Sequence, residues 1–305
     1  MKRIIYLFLT LILAYPAYGE VLLVHDLDNN TSRLFSNRIS AYLDNTPIRT
    51  IRVSDFLETT STSSDIVIGL GFPAFKKICH AKHDAFLIGI LLGEDEYLAT
   101  KSSCSVDSTA VYSGAPLDLR LSLLKTILPY EKRLGLIYNN QLALDIGKYQ
   151  ETAVEYGFHF VFRATPNDRF SVIKSVNSLL SETDVLFSII DSELYQPEIA
   201  QDVLRLMFRQ RKMMIGPSDN FVKAGALISI YSDVESQLAE TAELIKTILN
   251  NTNALALVPP RYPKPFKIVF NPYLVRSFGL VLPSTGYLEN TFGLCAESGC
   301  TKTSD

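Results

Sequence analysis

Residues 112–140, YSGAPLDLRLSLLKTILPYEKRLGLIYNN, restrict the fold more than any other stretch, because a helix pattern there runs into a buried strand and restarts an alternation the chain has already completed once. Leu117, Leu119, Leu121, Leu123, Leu124, Ile127 and Leu128 give an amphipathic helix that Pro129 ends. Residues 133–138 then read as a strand. Gly114 and Pro116, just upstream, supply backbone turns that a regular element would not tolerate and mark a crossover between two halves. The expectation is two similar lobes with a cleft beside the crossover.

The first residues stand outside that pattern. Met1, Lys2 and Arg3 are followed by an apolar run over residues 4–14 and by Ala17-Tyr18-Gly19, small residues at the two positions a signal peptidase reads. This predicts a signal peptide over residues 1–19, export, and a periplasmic location. The run is shorter than the roughly 18–20 residues that span a bilayer, and no Cys follows it to carry a lipid. The remaining chain is long enough for two lobes of about 100–150 residues, each with its own core.

Charge narrows the partners. With 29 basic against 32 acidic residues and a net charge of −3, and with the basic residues scattered, there is no electrostatic case for nucleic acid. The four cysteines are an even number in an oxidising compartment and permit two disulfides by three connectivities. Pairing in sequence order, Cys79 with Cys104 and Cys295 with Cys300, closes the short loops. Cys79, His80 and His83 lack the tight ligand pairing of a zinc site, and no cofactor motif stands out. No G-x-S-x-G or H-E-x-x-H motif occurs and the four histidines are dispersed, so nothing points to an enzyme.

In chain order, the apolar strand at 21–25 ends in Asp26, Asp28, Asn29 and Asn30. A helix over 33–43, a strand over 48–53, a Thr/Ser loop over 59–64 and a buried strand over 65–69 follow. Gly71-Phe72-Pro73 opens the next helix, with Pro at a position whose N–H would have had no partner; free N–H groups there can receive an anion. The turn is neither a P-loop nor a dinucleotide fingerprint. The strand at 86–92 ends in Gly93-Glu94-Asp95-Glu96, read as a solvated acidic loop whose Glu94 faces the cleft. Residues 110–112 are a short strand before the crossover.

The second half repeats the alternation, with strands at 134–138, 158–163, 185–190 and 213–215 and helices at 142–156, 170–180 and 199–209. Strands separated by helices imply parallel sheets with right-handed crossovers, so the fold class is α/β with two Rossmann-like lobes. Polar groups end several strands: Asn139 and Asn140, then Asp191, Ser192 and Glu193, then Ser218, Asp219 and Asn220. Each alone is the chemistry of a helix cap; together they converge as a ligand site does. Residues 226–231 are expected to return the chain to the first lobe, followed by a helix over 234–249, a stiff proline loop and a strand over 266–270. Asn271 is expected to cap a helix closed by Gly279.

Residues 65–74 (DIVIGLGFPA), 117–139, 184–191 (DVLFSIID), 221–231 (FVKAGALISIY) and above all 266–283 (FKIVFNPYLVRSFGLVLP) together resemble the periplasmic substrate-binding proteins of ABC transporters, in the group that includes binders of tryptophan. The resemblance implies a type I bilobed shell, with lobe 1 over 20–115 and 226–285, lobe 2 over 116–225 and a C-terminal tail over 286–305. It implies hinge closure on a small polar solute such as an amino acid, and delivery to an ABC permease or, alternatively, signalling to a membrane sensor. Carried over by position, Gly71, Phe72, Pro73 and Glu94 would serve from one lobe and Asn139, Asp191, Ser218 and Asp219 from the other. Asp191 would meet a ligand ammonium and the helix start after Phe72 a carboxylate. Phe72, Tyr112 and Tyr138 would either stack on a ligand ring or belong to the core. Phe72 stands where that group has a hydroxyl residue.

Overall fold

The structure is a computed structural model describing residues 20–56, 66–250 and 258–297. The expected signal peptide (1–19), the Thr/Ser loop (59–64) and Cys300 lie outside the described residues.

The first lobe alternates β1 (Val21–His25), α1 (Asn29–Tyr42), β2 (Ile48–Arg52), β3 (Ile66–Leu70), α2 (Phe72–Cys79), β4 (Phe86–Leu92), α3 (Glu94–Lys101) and β5 (Ser108–Tyr112). Its five strands form one parallel sheet in the order β2-β1-β3-β4-β5. Strands β1 and β3 are buried along their whole length, as continuous apolar runs require when helices cover both faces. Asp28 starts α1 by accepting the backbone N–H groups of Asn30 and Thr31 at 3.0 Å. Cys79, at the end of α2, is bridged to Cys104, with 4.7 Å between the Cα atoms.

The second lobe holds α4 (Leu117–Ile127), β6 (Arg133–Asn139), α5 (Ile146–Glu155), β7 (His159–Thr165), α6 (Arg169–Leu179), β8 (Val185–Phe187), α7 (Pro197–Gln210), β9 (Met213–Ile215), α8 (Asp219–Ala224) and β10 (Ile228–Ser232). After β10 come α9 (Val234–Asn250), β11 (Phe266–Phe270), α10 (Pro272–Ser277), α11 (Thr285–Phe292) and β12 (Leu294–Ala296). The second sheet runs β12-β11-β10-β9-β8-β6-β7 and is parallel except where β11 lies antiparallel to β10.

Two expected boundaries are corrected here. Residues 226–231, and with them 266–285 of the expected first lobe, do not return to the first sheet: Leu227 N–H donates to Met214 and Gly216 N–H to Ile228, both at 2.8 Å, which fixes β10 between β9 and β11, and β11 pairs with β10 in the second sheet. Every residue of β10 is buried, so its apolar pattern fits the middle of either sheet and cannot by itself choose one. The segment that goes back is α9, whose Leu238, Ala242 and Ile245 pack against Val21, Leu23, Ile68 and Ile88 of the first lobe. Residues 286–297 are no detached tail: β12 extends the second sheet in parallel with β11, and Leu288 and Leu294 are buried in that lobe's core.

The chain therefore crosses between lobes three times, at residues 113–116, between β10 and α9, and between α9 and β11. The third crossing runs beside β5, where Tyr112 N–H donates to Arg261 at 2.9 Å and Arg261 N–H to Ala110 at 3.0 Å. The crossings knit together: Ser232 N–H reaches the Gly114 carbonyl at 3.0 Å, and its hydroxyl donates to the Pro263 carbonyl at 2.8 Å.

Candidate functional site

The lobes face each other beside these crossings, and the space between them is lined by Gly93, Glu94 and Asp95 from the first lobe, by Arg120, Lys148, Tyr149, Ile189, Ile190 and Pro217 from the second, and by crossing residues 113–115 and Tyr262. The void measures about 30 Å³, against roughly 300–1,000 Å³ for a small-molecule site. The cleft is shut on its own side chains.

The first-lobe wall is built by a break in β4. Its pairing with β5 slips at Leu91, which takes a left-handed conformation at φ 56°, uncommon for a residue with a side chain. Such a bulge re-aims the strand end, and it hands the chain to the N-terminus of α3. Residues 93–96 are thus not the solvated acidic loop the sequence suggests. They form the first turn of a helix, with Glu96 1% exposed and folded back onto the Gly93 N–H at 2.9 Å. Its other oxygen accepts Ser192 N–H of the second lobe at 2.7 Å.

Two more carboxylates of that turn reach across. Glu94 pairs with Lys148 Nζ at 2.9 Å and accepts the Tyr262 hydroxyl at 3.1 Å. Asp95 accepts the Tyr149 hydroxyl at 2.6 Å. Burial pushes the carboxyl of Asp95 up to about 6 and that of Glu96 up to about 7, because removal from water penalises the charged form. Burial likewise holds the Tyr149 hydroxyl well above its usual range. Nearer the rim, Lys76 of α2 pairs with Glu193 at 2.9 Å.

On the second-lobe wall, Arg120 projects from the first turn of α4 and is 7% exposed. Its Nη2 donates to the Ser188 carbonyl at 2.7 Å, and the guanidinium carbon stands 3.9 Å from the centre of the Phe187 ring, a cation–π contact. Burial pulls its pKa down to about 10, which leaves it charged at neutral pH.

Of the residues singled out from sequence, Glu94 lines this void. Gly71 has φ 84° and precedes α2; Phe72 is buried in the first-lobe core beneath the Lys76 ammonium; Pro73 lies on the outer rim with Lys76 and Glu193. Tyr112 is packed between Tyr97 and Tyr262 at centroid distances of 5.7 and 5.0 Å, and Tyr138 packs on the second-lobe core. Asn139 and Asp191 are bound to each other: Asp191 accepts Asn139 N–H at 2.8 Å and Leu194 N–H at 3.0 Å, while Asn139 Nδ2 donates to Glu193 at 2.9 Å. Ser218 precedes α8, and Asp219 is paired with Lys223 at 2.7 Å. The residues that sequence reasoning missed are Asp95, in the run read as a solvated acidic loop, Arg120, Lys148 and Tyr149, within helix patterns, and Tyr262, in a proline-rich loop. Arg120 carried one usable signal, a cation on the stripe made by Leu117, Leu121 and Leu124.

A model of the family described as ABC transporter substrate binding protein matches residues 94–285, more than half of the chain. The chain belongs to that family. A comparison with curated protein sequences finds no match. Among solved structures, the chain is similar to an ABC domain in complex with L-Trp from Streptococcus pneumoniae, with TM-score 0.66 and 17% identity over 90% of this chain and 100% of that one. It is also similar to the ligand-free, open form of a substrate binding protein with adhesive properties from Clostridium difficile (TM-score 0.59, 16% identity, 91% and 98% covered). A periplasmic ribose ABC transporter structure from Conexibacter woesei gives TM-score 0.52 at 11% identity, with 86% and 94% covered. The likeness is one of fold: two parallel-dominated sheets joined by three crossings, the type I periplasmic binding protein arrangement.

Proposed function

We propose that this protein is exported to the periplasm, captures a small polar solute between its lobes and delivers it to an ABC permease. The observation that carries the reading is the cleft itself: Glu94, Asp95 and Glu96 on one lobe meet Lys148, Tyr149 and Ser192 on the other. A solute that contacts both walls stabilises the shut arrangement, and the shut arrangement is what a permease can distinguish from the open one. The ligand-free relative from Clostridium difficile is described as open, which fits a hinge with two positions.

The test has two stages. The full chain expressed in a Gram-negative host is expected in the osmotic-shock fraction with residues 1–19 removed, as intact mass would read. The purified protein should then contract in small-angle scattering with at least one solute from a panel of amino acids, sugars and organic acids, and that solute should stimulate ATP hydrolysis by the partner transporter in proteoliposomes. Retention in the cytoplasm, or a solute that leaves the transporter unaffected, would sink the reading.

A further inference from the structure

Helices α6 and α7 bury Val172, Val176, Val203 and Met207 in the second-lobe core, as apolar residues at helical spacing do. On their solvent side two polar ties join them: Arg169 pairs with Asp202, and Gln210 Nε2 donates to Asn177 Oδ1 at 2.6 Å. The ties are equally spaced on both helices, so α6 and α7 run parallel and are held at two levels. Between them lies a groove of about 460 Å³ with Ile173 and Leu206 as its apolar floor and Phe170 at its edge. Phe170 is 77% exposed, an apolar surface left to water. The groove also carries three guanidinium groups, Arg169, Arg205 and Arg209, to one carboxylate, Asp202. Asp202 is taken up by Arg169 and by Arg205 at 3.2 Å, while Arg209 forms no ion pair among the described residues.

An exposed aromatic ring, an apolar floor and surplus arginine are the composition of a protein interface. Other occupants fit less well. A small molecule buries about 70–90% of its surface in its site, and the exposure of Phe170 leaves one side of this groove open. A bilayer is flat and is held by clusters of about 4–8 basic residues, whereas here the apolar floor is recessed and the surplus of positive charge is smaller.

We propose that the groove between α6 and α7 docks an acidic segment of a second protein, which seats an apolar side chain against Phe170, Ile173 and Leu206 and sets carboxylates on Arg205 and Arg209. The planar guanidinium of Arg209 is free to give a carboxylate two parallel N–H bonds. The polar ties at both levels hold the groove ready before the partner arrives, which lowers the entropy lost on docking. Its lining residues all belong to the second lobe and are distinct from those around the void between the lobes. The contact is therefore the same with the cleft open or shut, and a partner held equally in both states shifts neither. The groove moors the protein whether or not a solute is bound, so this inference stands apart from the solute-binding reading.

The experiment irradiates the full chain, in the cells that make it, with p-benzoylphenylalanine in place of Phe170, which keeps an aromatic ring at the groove. The same probe in place of Leu34, exposed on α1 of the first lobe, is the control. An adduct with a second protein is expected from the groove and not from the control, mapped by mass spectrometry to a segment rich in Asp and Glu. A synthetic peptide of the mapped segment should bind purified wild type in calorimetry. Arg209→Glu should weaken it by at least about tenfold, and replacing the peptide's carboxylates by lysine should restore binding to that variant. Gly93→Ala, which crowds Ile190 across the cleft, should bind the peptide within about twofold of wild type, as a mooring confined to one lobe requires. Should Arg209→Glu fail to fold, Arg209→Gln decides, because it removes the charge without reversing it; a loss of several-fold, on the order of one exposed charge pair, is then expected. Adducts with lipid alone, with a second copy of this chain alone, or no stronger than those of the Leu34 control overturn the proposal. So does a mapped segment without surplus acid, or a peptide that wild type and the Arg209 variant bind equally.

Discussion

Lys148 places its Nζ 2.9 Å from Oε1 of Glu94, joining the first turn of α5 in one lobe to the first turn of α3 in the other. The ammonium therefore occupies a carboxylate on the cleft wall, and the protein holds itself shut with its own cation. Both side chains keep some contact with water, so the pair contributes on the order of 0.5–1 kcal/mol. Lys148→Met is expected to shift the ligand-free population toward the open form by about two- to fivefold, read as a larger radius of gyration in small-angle scattering. An unchanged radius would show that the pair does not bias closure.

The carboxyls of the same turn give a pH dependence. Glu96 has its folded pKa raised to about 7 by burial, above its value in the unfolded chain. Between the two values the native state binds the extra proton, so stability falls as pH rises. The contribution is fully present below pH 4 to 5, near the unfolded value, and is lost as pH climbs through about 7; Asp95, raised to about 6, adds in the same direction. Denaturant midpoints measured from pH 5 to 8 should decline for wild type and decline less for Glu96→Gln, which keeps an acceptor for Gly93 or Ser192 without a charge. Parallel curves for the two proteins would count against Glu96 as the titrating group.

The bridge between Cys79 and Cys104 closes a separation of 25 residues across α2 and α3. Chain entropy for a loop of that size predicts about 3.5 kcal/mol of stabilisation. Reduction, or Cys79→Ala with Cys104→Ala, is expected to lower the unfolding free energy by that order in a denaturant titration. A change within error would mean that the reduced chain retains its local structure when unfolded.

Continuous apolar runs were the legible part of the fold: FLIGILL, MMI and FKIVF coincide with β4, β9 and β11, and Asn271 caps α10 by accepting Tyr273 N–H at 3.1 Å and Leu274 N–H at 3.2 Å. What a strand pairs with is not local information, which is why β10 could be placed in the wrong lobe. The site was less legible for a related reason. Asp191 at a strand end reads equally as a ligand group or as a backbone cap, and here its two oxygens accept Asn139 and Leu194 N–H groups. Glu94-Asp95-Glu96 reads as solvated until the bulge at Leu91 turns it toward the other lobe.

Closure can be tested without knowing the solute through Gly93. A Cβ built there would stand 2.9 Å from Cβ of Ile190 and 3.0 Å from its carbonyl oxygen, both on the opposite lobe. The backbone of Gly93 has φ −81° and ψ 158°, which alanine adopts without strain, so the substitution leaves the first lobe's own folding undisturbed. Its steric cost falls on the contact between lobes. Gly93→Ala should therefore hold the cleft ajar, with a larger radius of gyration and weaker solute binding by at least about tenfold, the equivalent of roughly 1.4 kcal/mol against the shut state. The thermal midpoint without solute should change by no more than a few degrees, since the shut contact is a small part of the stability of either core. A variant that closes and binds like wild type would show that the lobes do not need Gly93 against Ile190 to shut.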